Sequence, residues 1–129
     1  MGARKKTKAD QIKESRKTLG LAVLRDNPTS PRKMRTLADL VRGMNVLQAL
    51  HILQHNPKHS SKSLEKLLRS AIDNWSAKNG NQNSEKLVVK TIMVDSARVL
   101  KRIRTAPQGR ANRIRKRSNH VTIIVDNEQ

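Results

Sequence analysis

The sequence contains no cysteine, no phenylalanine and no tyrosine, and Trp75 is its only aromatic residue apart from histidine. Without cysteine there is no disulfide framework, no thiolate metal site and no cysteine nucleophile. Without a row of rings the chain cannot grip single strands by stacking their bases, the common sequence-tolerant mode. Acids are scarce as well: 10 Asp and Glu stand against 28 Lys and Arg, a formal net charge of +18 over 129 residues. Long apolar runs are missing. Leu21 to Leu24 and Val121 to Val125 fall far short of the ~20 residues that span a bilayer. The basic start is followed by no apolar segment, so it does not read as a secretory signal.

A charge this positive opposes compaction unless a polyanion neutralises it. Nucleic acid is the expected partner. An anionic membrane fits less well, because the cations are not laid along an amphipathic helix with bulky aromatics. With so few rings, contacts are expected on phosphates, sugars and the shape of already folded nucleic acid.

The length suits one compact domain. Residues 1–18 form a basic polar tail with seven Lys or Arg against Asp10 and Glu14, expected to be disordered when free. Leu19 to Arg25 reads as a strand, and Asp26-Asn27-Pro28-Thr29 as a turn cluster. Ser30-Pro31 has the form of an N-cap followed by proline at the first helical position. The helix it opens runs to about Arg42, with Met34, Leu37, Val41 and Met44 at helical spacing and Gly43 as its stop. Asn45 caps a second helix over 46–54, apolar nearly all round and therefore buried. Leu64, Leu67, Leu68, Ala71, Ile72 and Trp75 mark a third helix, capped by Ser60 or Ser61 and closed by Asn79-Gly80. Leu87 to Val94 and Arg113 to Val125 read as β-type runs. The expected class is α+β: three helices packed on a small three-stranded antiparallel sheet, with 19–125 as one domain and 126–129 as a short tail.

Residues 98–117 hold nine Lys or Arg and no acid, and Arg outnumbers Lys seven to two. Pro107-Gln108-Gly109 supplies turn chemistry near the midpoint. The order strand, basic segment with a turn, strand predicts a protruding antiparallel hairpin over 95–120. About twelve residues a side at ~3.3 Å each would reach roughly 40 Å. Like charges across such a pair repel, and an isolated hairpin is marginal in water, so order is expected only in polyanionic surroundings. Arginine suits bidentate phosphate contacts and stacking on bases. A merely solvated loop would not need so many uncompensated cations.

Other constellations are weaker. His51, His55 and His59 are spaced by four, but Pro57 interrupts the helix and no carboxylate lies close. Solvent-facing or phosphate-contacting histidines fit better than a metal site. Asp39 and Asp73 read as helix-surface partners. No Gly-rich phosphate loop or paired catalytic carboxylate stands out, so neither catalysis, cofactor nor metal is expected. Trp75 reads as core, with stacking on RNA as the alternative. A duplex-gripping architectural DNA protein remains the competing reading of the arm, with Pro107 as its wedge.

Three stretches resemble the bacterial form of the large-subunit ribosomal protein L-twenty-two family. Ser30-Pro31-Arg32-Lys33-Met34-Arg35 with Ala38 to Gly43 is similar to that family's first-helix signature, and Leu68 to Asn74 to its long-helix signature. Lys101-Arg102-Ile103, Gln108-Gly109-Arg110-Ala111 and Arg113 to His120 together resemble its hairpin. Thr105-Ala106-Pro107 departs from the Pro-Arg-Ala common there, and Arg98 stands where proline is common. The resemblance implies a structural constituent of the large ribosomal subunit, cytoplasmic, with no enzyme activity. It would bind large-subunit rRNA, assist its assembly and lie beside other large-subunit proteins. It implies neither membrane contact nor an obligate homo-oligomer. The implied RNA contacts are Ser30, Arg32, Lys33, Arg35, Arg98, Lys101, Arg102, Arg104, Arg113, Arg115, Lys116, Arg117 and His120. Gln108, Gly109, Arg110 and Ala111 would form a tip reaching the nascent polypeptide at the exit-tunnel wall.

Overall fold

The computed structural model describes residues 3–80 and 86–127. Among them, four α-helices and two antiparallel sheets alternate along the chain: α1 (Ala3–Thr18), β1 (Gly20–Asn27), α2 (Pro31–Val41), α3 (Val46–His55), α4 (His59–Asn79), β2 (Leu87–Ser96), β3 (Leu100–Thr105), β4 (Ala111–Lys116) and β5 (Asn119–Asn127). The class is α+β as expected. Two details differ from the sequence reading: there is a fourth helix, α1, and the hairpin strands β3 and β4 form a sheet of their own.

The larger sheet has the order β1-β5-β2, with β5 central and antiparallel to both neighbours. Burial alternates along β5, so Val121, Ile123 and Val125 face the core. Ala22 and Ile92 lie in register on either side of Ile123 and share its face. Helices α2, α3 and α4 supply the other wall, with Met34, Leu37, Val41, Val46, Leu53, Leu64, Leu68 and Trp75 all buried. Each such side chain removed from water contributes about 1.5–3 kcal/mol. Trp75 is 2% exposed, so it belongs to the core and not to a stacking surface. It can pack so closely because residue 20 is glycine. A Cβ there would lie 2.6 Å from Ala71 O, Trp75 Cβ and Val125 Cγ2.

Local signals explain most of the helix ends. Ser30 is the N-cap of α2 with Pro31 at its start, although the serine side chain makes no capping bond. Asn45 Oδ1 accepts from the Leu47 N–H at 2.9 Å and opens α3. Gly80 closes α4 in the left-handed conformation, φ 68°. The opening of α4 differs from the expectation. Its N-cap is Lys58, not Ser60 or Ser61. Asn56 Oδ1 accepts from the Lys58 N–H and turns the chain one step earlier. Ser61, fully buried, instead donates its hydroxyl to the Leu53 carbonyl and ties α4 to the last turn of α3.

Within the basic tail, Ala3–Thr18 form helix α1. Ala, Lys, Arg, Glu and Gln dominate it and no Gly or Pro interrupts it, so backbone propensity favours a helix. It lacks an apolar stripe, and its described side chains are exposed. Its end is held from outside: Lys78 Nζ donates to the carbonyls of Arg16 and Leu19, and Asn79 Nδ2 to that of Thr18.

Candidate nucleic-acid interface

The single run expected over Arg113 to Val125 is split between β4 and β5. The core sheet pairs as far as Ser96↔Asn119, so 97–118 protrude rather than 95–120. The arm's ladder then runs from Leu100↔Lys116 to Thr105↔Ala111. Six residues per strand give about 20 Å of paired arm at ~3.3 Å each, half the length expected, with short unpaired connections at its base. The tip is Pro107–Gly109, where Gln108 (φ 61°) and Gly109 (φ 71°) adopt left-handed backbone and the Ala106 N–H donates to Arg110 O at 2.8 Å.

Cross-strand partners share a face and neighbours along a strand alternate. One face of the arm therefore carries Leu100, Arg102, Arg104, Asn112, Ile114 and Lys116. The other carries Lys101, Ile103, Thr105, Ala111, Arg113 and Arg115. Each face has three cations and neither has an acid. Arg98 and Arg117 flank the base, and Arg110 follows the tip. The ion pairs among the described residues join Arg42 to Asp39, Arg69 to Glu65 and Lys90 to Asp126. None neutralises an arm cation. Over 100–117 the side chains are exposed apart from Ala106 and Ile114, and Ile103 is 74% exposed. Charge on both faces suits insertion between polyanionic surfaces better than docking of one face on one surface.

The α2 start lies beside the base of this arm. Asn119 Nδ2 donates to both Thr29 O and Thr29 Oγ1 at 2.7 Å. Ser30 follows Thr29, and Arg32 and Lys33 are exposed in the first turn of α2. The helix dipole and the unpaired first-turn amides favour anions there. Arg35 has a structural role, since its Nε and Nη2 both donate to Val94 O, at 3.3 and 3.0 Å, and pin α2 to β2. His120 is likewise engaged. Its Nδ1 accepts from the Asp26 N–H at 3.0 Å, where β1 shifts register and Asp26 takes φ 52°. The neutral ring then carries its proton on Nε2.

The sequence histidines do not act as a set. His51 and His55 stack with ring centroids 4.3 Å apart on α3, whereas His59 begins α4. There it joins Lys58 and Ser60 opposite Arg32 and Lys33 across a cleft. Sequence reading missed this grouping, because α2 and α4 are brought together only by the fold. No described helix is long and apolar enough to cross a membrane.

A family model described as ribosomal protein L22p/L17e matches residues 22–126. Curated relatives are named large ribosomal subunit protein uL22. The one from Christiangramia forsetii is 59% identical over 127 residues, covering 97% of this chain and 94% of that protein. The one from Flavobacterium johnsoniae is 58% identical over 127 residues, covering 97% and 93%. The one from Parabacteroides distasonis is 54% identical over 127 residues, covering 98% and 93%.

Proposed function

The chain belongs to the ribosomal protein L22p/L17e family, and from that premise we propose that it binds large-subunit rRNA and helps that RNA fold and assemble. Its role is structural and not enzymatic, in the cytoplasm and within the large ribosomal subunit. The observation that carries the RNA reading is the arm: cations on both faces, no acid, and no ion pair with the rest of the described chain. Lys101, Arg102, Arg104, Arg113, Arg115 and Lys116 neutralise phosphates of RNA helices on either side, so that those helices pack close together. Arg98 and Arg117 extend the track to the base, where Ser30, Arg32 and Lys33 meet the next segment of RNA. Arg35 and His120 add donors left over from their structural bonds. Gln108, Gly109, Arg110 and Ala111 form the far end, at the wall of the nascent-peptide tunnel, where they meet the growing polypeptide. Helix α1, polar all round, takes its stability from RNA instead of from core packing. Other large-subunit proteins lie beside the domain, and no obligate homo-oligomer is required.

Co-sedimentation with large ribosomal subunits through high salt, followed by crosslink mapping of 98–117, tests this reading. Retention with crosslinks to large-subunit rRNA is expected. Release at moderate salt, or tighter binding to bent duplex DNA than to structured rRNA at matched salt, would overturn it.

A further inference from the structure

Helix α3 differs from the rest of this basic chain. Residues 43–57 contain no Lys, Arg, Asp or Glu, although the whole sequence carries a net charge of +18. The inner face of α3 buries Val46, Ala49 and Leu53, and the Ser61 hydroxyl ties its last turn to α4 through the Leu53 carbonyl. The outer face presents His51 and His55, both exposed. Four residues apart, they stand one above the other on that face. Two observations go beyond the spacing. First, the rings already lie together, with centroids 4.3 Å apart and planes 35° from one another. Two imidazoles bound at a right angle to one metal ion, with metal–nitrogen bonds of ~2.1 Å, have centroids about 4.5 Å apart. Second, His55 Nδ1–H donates to the His51 carbonyl at 2.9 Å. A carbonyl only accepts, so this bond puts the ring's proton on Nδ1 and leaves the Nε2 lone pair free. Metal-binding histidines are held in the same way, with a carbonyl or carboxylate on the nitrogen that does not bind.

We infer that His51 and His55 together bind one divalent transition-metal ion of the nickel, copper and zinc group. This site is independent of the RNA-binding reading. The class of ion follows from the donors: imidazole suits these metals, whereas calcium and magnesium take oxygen ligands. Two nitrogens near a right angle suit tetragonal nickel or copper better than tetrahedral zinc. The third histidine of the run takes no part, because His59 opens α4. Each ring gives one nitrogen lone pair, and water fills the remaining positions. The lack of Lys and Arg on α3 matters here. Repulsion between a divalent ion and a cation weakens with distance, and the nearest cations in the sequence, Arg42 and Lys58, lie outside the helix. The backbone is also set in advance, since the turn that carries both rings is anchored through buried Leu53 and Ser61. A bound ion closes that turn through its side chains as well as its backbone, and so stabilises α3.

The test uses the full chain and NiCl2 in a buffer free of amines and imidazole, with binding followed by calorimetry and unfolding by thermal melts. One ion per chain should bind saturably, hold its place against excess MgCl2 and raise the melting temperature. His51→Gln and His55→Gln should each weaken binding at least about tenfold and abolish the thermal shift. Both side chains are exposed, and melts without metal verify that the variants fold like the parent. His59→Gln should bind the ion as the parent does. Absence of saturable binding by the parent would overturn the site, and so would undiminished binding by both His51→Gln and His55→Gln. Loss of binding in His59→Gln would move the ion to the junction of α3 and α4 and overturn the two-histidine assignment. Displacement by MgCl2 would mark oxygen ligands and overturn it as well.

Discussion

Asn119, fully buried, donates from Nδ2 to both oxygens of Thr29 at 2.7 Å, joining the first residue of β5 to the turn that precedes α2. The same side chain accepts at Oδ1 from Asn27 Nδ2 at 3.4 Å. Two segments about ninety residues apart in sequence thus meet in one polar knot at the base of the arm. Asn119→Ala removes the donor and leaves the Thr29 carbonyl short of a partner. A loss of about 1–3 kcal/mol is expected for such a buried group. Urea unfolding followed by Trp75 fluorescence measures it, and an unchanged midpoint would show that the knot contributes nothing to stability.

At Gly20 α4 packs directly against β1, with no room for a side chain. Gly20→Ala places a methyl group 2.6 Å from Ala71 O, Trp75 Cβ and Val125 Cγ2. One of those neighbours is backbone, so the helix must move away. Overpacking of this kind costs about 1–3 kcal/mol. The expected result is a lower melting temperature and a shifted Trp75 emission, and a variant as stable as the parent would contradict the close approach.

Replacing Arg113, Arg115 and Arg117 together with Gln should lower rRNA affinity and also its salt dependence. Each lost phosphate contact should take about 0.7–0.9 from the log–log slope. Lower affinity with an unchanged slope would mean that these side chains do not act on phosphates.

Deletion of 102–112 should leave the three-stranded sheet and its helices intact. The unfolding transition seen by Trp75 should stay cooperative and its midpoint should not fall, because none of the core residues lies in the deleted segment. Loss of cooperativity would show that the arm takes part in folding the domain.

The residues that were legible in the sequence carry their reasons locally. Asn45 has a capping side chain, Gly80 has the freedom a left-handed cap needs, the 64–75 stripe repeats at helical period, and Pro107-Gln108-Gly109 has turn chemistry. What was not legible depends on tertiary contact. Ser61 has the composition of a cap, but its hydroxyl goes to Leu53 on the preceding helix. Helix α1 has no apolar stripe, so the periodicity that reveals α2 and α4 is silent there. The site divides in the same way. The arm's cations were visible as an acid-free run, whereas their even division between two faces needed the register. Arg35 reads as one more basic residue until its two donors are seen on Val94 O. The grouping of Lys58 and His59 with Arg32 and Lys33 is a product of packing alone.

The seam between the two sheets has a consequence for how such a chain changes over generations. Outside the two ladders, the Ala97 N–H to Ser118 O bond joins the two roots of the arm, and the arm's residues contribute nothing to the buried core. A substitution beyond that seam therefore passes unnoticed by folding and is judged only by the surroundings the arm enters. A substitution inside it is judged first by stability. The chain can vary its reach without renegotiating its core, and inheritance can treat the handle and the probe as separate traits.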